Sequence, residues 1–246
     1  MTTTLAPTVA TGMRLDLESV RISYGAKTVV HDIDLAVAAG EILVLVGKSG
    51  CGKSTLLRAL AGLRLPTGGV IRADDDTVTG PSADRALVFQ DDALLPWRTA
   101  RANVELALRL RGVPRAERAT RSRRWLDEVG LTGYADYLPR DLSGGMRQRV
   151  QLARSLAGSP RAVLMDEPFG ALDSQTRTEM QRLLVDTWRA HPTTIVFVTH
   201  DLDEALLLGD RIAVLGAGSL RAVVEVPEPR SAVDRSELRD RILELL

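Results

Sequence analysis

Several scarcities narrow what this sequence can do. Its 246 residues contain one cysteine, Cys51, which excludes an internal disulfide framework and a multi-cysteine zinc site and fits a reducing compartment. Aromatic residues make up only 4%. Lysine is rarer still: of 32 Lys and Arg residues only Lys27, Lys48 and Lys53 are lysine. Net charge is missing too, because 32 acidic residues balance the basic ones. No global field therefore favours nucleic acid or an acidic membrane surface, and no nucleic-acid partner is expected. Apolar runs such as "ILVLV" and "ALLLG" fall far short of the roughly 20 residues that span a bilayer. The opening "MTTTLAPTVATGM" has neither a basic start nor a long apolar stretch, so residues 1–13 read as a flexible N-terminus without a secretory signal.

What is present reads as one globular domain with an insertion. The hydrophobic share of 45% and the charged share of 26% are ordinary for such a chain. From Arg14 to Val37 apolar and polar residues alternate around a Tyr-Gly turn, which predicts a hairpin or small antiparallel sheet. Apolar, β-branched runs at Ile42–Val46, Arg85–Phe89, Ala162–Met165 and Thr193–Thr199 predict buried strands. Helical patterns between several of them favour an α/β fold with a mostly parallel sheet. Strand signals vanish between Thr99 and Pro160, where Ala102–Arg111, Arg115–Val129 and Met146–Ala157 read as an all-helical insertion. The tail returns to short strands and ends in an amphipathic helix over Ser236–Leu246.

Four strand ends carry the candidate chemistry. Gly47-Lys48-Ser49-Gly50-Cys51-Gly52-Lys53-Ser54 matches G-x-x-x-x-G-K-[ST] between a predicted strand and a predicted helix. In such a loop backbone N–H groups surround phosphate oxygens, the lysine pairs with β- and γ-phosphates, and the serine hydroxyl serves Mg²⁺. A glycine turn that merely caps a core helix would not explain Lys53 in so lysine-poor a chain. "AVLMDEP" puts Asp166 and Glu167 at the end of an apolar strand. Adjacent carboxylates there need compensation, which Mg²⁺ near Ser54 supplies to Asp166, while Glu167 can orient or deprotonate an attacking water. Gln90 and His200 follow two further strands. Ligands of open α/β sheets bind beyond the carboxyl ends of the strands, so Gln90 can touch Mg²⁺ or the water, and His200 the γ-phosphate or the water. Tyr24 reads equally as a platform for a base and as an aromatic closing a hairpin. His31 and His191 receive no role, and the arginine-rich stretch Arg109–Arg124 reads as a solvated helical face.

Another segment, "LSGGMRQRV" (Leu142–Val150), has the composition of a second anion-binding helix start, with Ser143 able to cap the helix or to present its hydroxyl. With this segment in place, the chain resembles the nucleotide-binding subunits of ATP-binding cassette (ABC) transporters over nearly its whole length. The resemblance assigns Tyr24 to the A-loop, Gly47–Thr55 to Walker A, Gln90 to the Q-loop, Ser143–Gln148 to the signature, Ala162–Glu167 to Walker B, Ala171–Asp173 to the D-loop and His200 to the switch histidine. It implies ATP held by Tyr24 and by Gly47 through Thr55, Mg²⁺ held by Ser54, Gln90 and Asp166, and catalysis by Glu167 with His200 and Gln90. It implies that Ser143, Gly144, Gly145 and Gln148 act in trans, with Asp173 beside them, in a head-to-tail homodimer. The implied fold is a RecA-like P-loop core (14–90 and 160–246) with an antiparallel β subdomain and an inserted helical subdomain (91–159).

The implied partners are transmembrane permease subunits and, indirectly, an extracytoplasmic substrate-binding protein, with the chain peripheral on the cytoplasmic face of the membrane. "VFQDDALLPWRTARANV" resembles the importer subunits for nitrate, taurine or aliphatic sulfonates. Trp97 and Leu94–Leu95 read as contacts to a permease coupling helix, and Trp97 reads equally as packing inside the helical subdomain. The other readings are an ABC ATPase for a different import substrate or for export, and an ABC protein acting on DNA or ribosomes. The last is disfavoured by a single cassette with a short insertion. Lys48 departs from the family pattern, where proline or a similar residue is common. A thiol at a helix N-terminus also raises the expectation that Cys51 is redox-sensitive.

Overall fold

A computed structural model describes residues 12–230 and 235–246. In chain order its elements are β1 (Leu15–Tyr24), β2 (Lys27–Val37), β3 (Ile42–Gly47), α1 (Lys53–Leu60), β4 (Gly68–Ala73), β5 (Asp76–Thr77), β6 (Arg85–Val88), α2 (Ala100–Leu110), α3 (Arg115–Glu128), α4 (Gly144–Ala157), β7 (Ala162–Asp166), α5 (Ser174–Ala190), β8 (Thr194–Val198), α6 (Leu202–Leu208), β9 (Arg211–Gly216), β10 (Ser219–Glu225) and α7 (Ser236–Leu245). No helix among the described residues is long and apolar enough to cross a membrane.

Two sheets stack against each other. The smaller has the order β2-β1-β4-β5 and is antiparallel throughout. Strands β1 and β2 pair from Leu15↔Val37 to Tyr24↔Lys27, so Gly25 and Ala26 form a two-residue turn. The larger has the order β10-β9-β3-β8-β7-β6, parallel except for the antiparallel edge pair β10–β9. Its inner strands are apolar on both faces because both are covered. Ile42, Val44 and Val46 of β3 belong to the core shared with α4, α5 and α6, while Leu43 and Leu45 belong to the core shared with α1 and the small sheet.

The topology places the site. From β3 the chain reaches β6 at the far edge, fills inward through β7 and β8, then returns to β9 on the other side of β3. That reversal makes β3 a switch point, where a crevice opens at the carboxyl ends. Register levels those ends: Leu45 and Asp166 both pair with Val198, and Val88 pairs with Met165.

The predicted strands and helices all form, with ends moved by one or two residues. β4, β5, α5 and α6 were not delimited by pattern. The segment "GGVIRA" forms β4 by pairing with the free edge of β1, an interaction that its own sequence does not announce. Of the residues expected to be flexible, 1–11 lie outside the described residues. Gly12 and Met13 do not. The Met13 N–H faces both the Thr194 hydroxyl (2.9 Å) and the Arg161 carbonyl (3.1 Å), and Arg161 donates to the Gly12 carbonyl (3.0 Å).

Candidate functional site

The loop after β3 turns tightly over the sheet. A Cβ on Gly47 would lie 2.4 Å from the Leu215 carbonyl oxygen and 2.6 Å from Cys51 Sγ, so only glycine fits. Gly52 caps α1 in the left-handed conformation. Lys53, in the first turn, is buried, and its ammonium donates to the Gly47 carbonyl at 2.6 Å and the Lys48 carbonyl at 3.3 Å. Lys48, Ser49 and Gly50 are exposed at the loop tip, while Thr55 is half-buried on α1. Cys51 is 7% exposed and packs into the apolar core under the loop. A reactive thiol also needs access, and this burial counts against the redox expectation.

The carboxylates meet the loop from β7. Ser54 Oγ donates to Asp166 Oδ1 at 2.8 Å. Glu167 follows in the left-handed region, φ 44°, a conformation that costs a non-glycine residue of order 1–3 kcal/mol and persists only when its surroundings impose it. They do: its N–H donates to the Val198 carbonyl at 3.0 Å, and its own carbonyl accepts from Gly170 at 3.1 Å. The turn swings Glu167 Oε2 to 2.9 Å from His200 Nδ1, beyond the end of β8. Gln90 stands exposed just beyond β6. It makes no hydrogen bond to Ser54 or Asp166 among the described residues.

This donor set suits Mg²⁺. A hydroxyl and a carboxylate, both hard oxygen donors, converge beside the phosphate-type loop. Among the described residues no group of three or more His, Cys, Asp or Glu could form a cage. Mg²⁺ is commonly held in this way, by one or two carboxylates with the remaining positions left to water and phosphate oxygens.

The second anion-type segment lies elsewhere in the chain. Ser143 caps α4 by accepting from the Met146 N–H at 3.3 Å, and its side chain is exposed with Gly144. Gly145 is required by a neighbour: a Cβ there would fall 2.6 Å from Thr176 Cγ2. Asp173 caps α5, accepting from the Thr176 N–H (2.9 Å) and hydroxyl (2.7 Å). Those bonds, the backbone one first, hold its carboxyl below the usual range. Ser143, Gly144, Gly145, Ala171, Asp173 and Thr176 line one groove of about 370 Å³, which Gly47–Thr55 does not enter. The two candidate phosphate segments are therefore not joined within one chain. Gln148 is 7% exposed and lies on the buried side of α4, away from this groove.

Other expectations are resolved by burial. Trp97 is 73% exposed, so it does not pack inside the helical layer, whereas Leu94 is buried there. Pairs Glu117–Arg121 and Arg124–Glu128 lie along the outer side of α3, as a solvated face would have them. His191 bonds Glu128 at 2.8 Å and packs at a 45° tilt against the Trp125 ring. Such contacts are structural.

Several residues that support the site gave no sequence signal. Gln151, buried on α4, donates to the Phe89 and Asp91 carbonyls at 3.0 and 2.9 Å, gripping the backbone on either side of Gln90. Arg154 reaches the Ala93 and Asp92 carbonyls nearby. On α5, Arg177 donates to the Leu172 carbonyl (3.1 Å) and pairs with Asp201 (3.4 Å), the residue after His200. Gln181 donates to Glu204 at 3.1 Å, and burial pushes the Glu204 carboxyl up from its ordinary value.

Known proteins share this chain's sequence and fold. A family model described as ABC transporter matches residues 30–170. The taurine import ATP-binding protein of Pseudomonas aeruginosa is 46% identical over 218 residues, 87% of this chain and 83% of that protein. The nitrate import ATP-binding protein of a Synechocystis strain is 48% identical over 193 residues, 78% of this chain and 73% of that protein. A dimeric ATP-binding cassette solved in a post-hydrolysis state with ADP and Pi superposes with a TM-score of 0.76 at 32% identity, covering 86% of this chain and 98% of that one.

Proposed function

Because this chain belongs to the ABC transporter family and is accordingly an ATP-hydrolysing cassette, we propose that it powers an importer of taurine, aliphatic sulfonates or nitrate through separate permease subunits. The two relatives named for taurine and nitrate import, 46% and 48% identical, support that substrate class. In this reading the chain is peripheral at the cytoplasmic face, and a substrate-binding protein on the other side delivers the solute.

The observation that carries the chemistry is the convergence of Lys53, the Ser54–Asp166 pair and the Glu167–His200 pair at neighbouring strand ends. Loop N–H groups and the N-terminus of α1 bind the β- and γ-phosphates, and Lys53 exchanges its loop carbonyls for phosphate oxygens. Ser54 and Asp166, with Gln90, would hold Mg²⁺, which neutralises charge on the phosphates when bound. Glu167 accepts a proton from the attacking water or orients it, and His200 keeps the carboxylate aimed while reaching toward the γ-phosphate. Tyr24, 44% exposed at the hairpin end, offers a face to the adenine.

Ser143 and Gly144 complete the site of a second copy. They are exposed, and the groove they line excludes the chain's own loop. ATP then bridges two copies, so binding drives association and hydrolysis releases it.

Two experiments test the reading. Glu167→Gln is expected to abolish hydrolysis and to accumulate an ATP-bound dimer on size exclusion with light scattering; a variant that still hydrolyses normally and stays monomeric rejects the assigned role. Deleting the gene is expected to abolish high-affinity uptake of one of the three solutes, and unchanged uptake of all three rejects the substrate class.

A further inference from the structure

Tyr24 is braced from behind. The Arg64 guanidinium lies over its ring, 4.4 Å from the centroid. Arg64 stands in the turn that follows α1, the helix that begins at Lys53. Its Nη2 donates to the Ser23 carbonyl at 2.6 Å, which fixes the guanidinium beside the residue preceding Tyr24. Its Nε is buried without a hydrogen-bond partner. A buried donor left unpaired is costly, so the arginine is held there against a local penalty, and the ring face is what it gains.

The hairpin that carries Tyr24 is tied to the phosphate-type loop at its other strand. A Cβ on Gly52 would come 3.1 Å from the Val29 carbonyl. Val29 follows Thr28, which pairs across the turn with Ser23. Tyr24 pairs with Lys27, so it stands one strand across and two residues along from Val29, roughly 8 Å from a point in contact with the loop. A nucleotide with its phosphates on the loop has its base within reach of this ring.

We propose that Arg64 is a positioning residue for the base, holding Tyr24 by a cation–π contact on one face so that the opposite face receives adenine. The inference rests on Tyr24 being the base platform. The guanidinium removes the ring's rotational freedom before ligand arrives, which lowers the ordering cost of stacking. Its side chain contacts Ser23 and Tyr24 and makes no hydrogen bond to Lys53, Ser54 or Asp166 among the described residues, so its effect falls on the base.

The test compares Mg-ATP with Mg-tripolyphosphate, which has the phosphates but no base. Binding of each is measured by calorimetry on the wild-type chain and on Arg64→Met, Arg64→Lys and Tyr24→Ala, with thermal unfolding of each variant as a check on folding. Arg64→Met keeps the length and apolar stem of the side chain and loses the cation. It is expected to weaken Mg-ATP about five-fold, corresponding to a cation–π contact of about 1 kcal/mol. Mg-tripolyphosphate binding should be unchanged, KM for ATP raised and kcat retained. Arg64→Lys, which restores a cation, should recover part of the loss. Equal weakening of both ligands by Arg64→Met overturns the proposal, as do unchanged or tighter Mg-ATP binding. If Tyr24→Ala leaves the ATP preference over tripolyphosphate intact, Tyr24 is not the base platform and both readings fall. If Tyr24→Ala erases that preference while Arg64→Met does not, only the role of Arg64 falls.

Discussion

At the scale of single residues, an absent methyl group sets a critical distance. Gly145 lets the start of α4 lie against α5, with Thr176 Cγ2 only 2.6 Å from where a Cβ would stand. Thr176 cannot move aside freely, because its N–H and hydroxyl both hold Asp173. Gly145→Ala is thus expected to cost about 1–3 kcal/mol by overpacking and to lower the unfolding midpoint. Adding Thr176→Ser removes the obstructing methyl and keeps the hydroxyl, so the double variant should recover most of the loss in thermal unfolding. No recovery would place the strain elsewhere. Glu167 shows the complementary case, a side chain carried to His200 from an unfavourable backbone angle.

At the scale of elements, α4 spans two functions. Its first turn presents Ser143 and Gly144, and two turns later Gln151 grips the segment around Gln90. Gln151→Leu leaves the Phe89 and Asp91 carbonyls without that donor, at about 1–3 kcal/mol. Faster amide hydrogen exchange across residues 89–93 is expected, with ATPase activity reduced and ATP binding kept; unchanged exchange there would refute the tether. Such ties mark the limit of what the chain's pattern discloses. Strands β3, β7 and β8 were readable because burial on both faces writes an unbroken apolar run, and Asp166, Glu167 and His200 stood out as polar residues closing those runs. Gln151, Arg177 and Glu204 sit inside helices, where a polar residue reads as solvent-facing until tertiary packing covers it. Strand β4 escaped notice because the edge it completes belongs to a distant segment.

At the scale of the whole molecule, the two phosphate-type segments of one chain do not share a groove, as the proposed composite site requires. Lys53 sits over the loop beyond β3, while Ser143 opens on the groove beside Asp173. Lys53→Ala and Ser143→Ala should each be nearly inactive alone, since each damages both sites of its own dimer. Mixed, they should show ATPase activity that neither has by itself, because a heterodimer pairs an intact loop with an intact Ser143 once. A mixture no more active than the average of its components would mean that the sites are not shared.

The scarcity of lysine has a practical corollary. Lys53 is buried, Lys48 is exposed at the tip of the same loop, and Lys27 pairs with Tyr24 at the hairpin end. All other basic side chains except the histidines are arginine, which does not acylate under conditions that label amines. The accessible side-chain amines, Lys27 and Lys48, therefore lie at the hairpin end and the loop tip, and an amine-reactive reagent, once label on the α-amine is set apart, probes these two places without any engineered label.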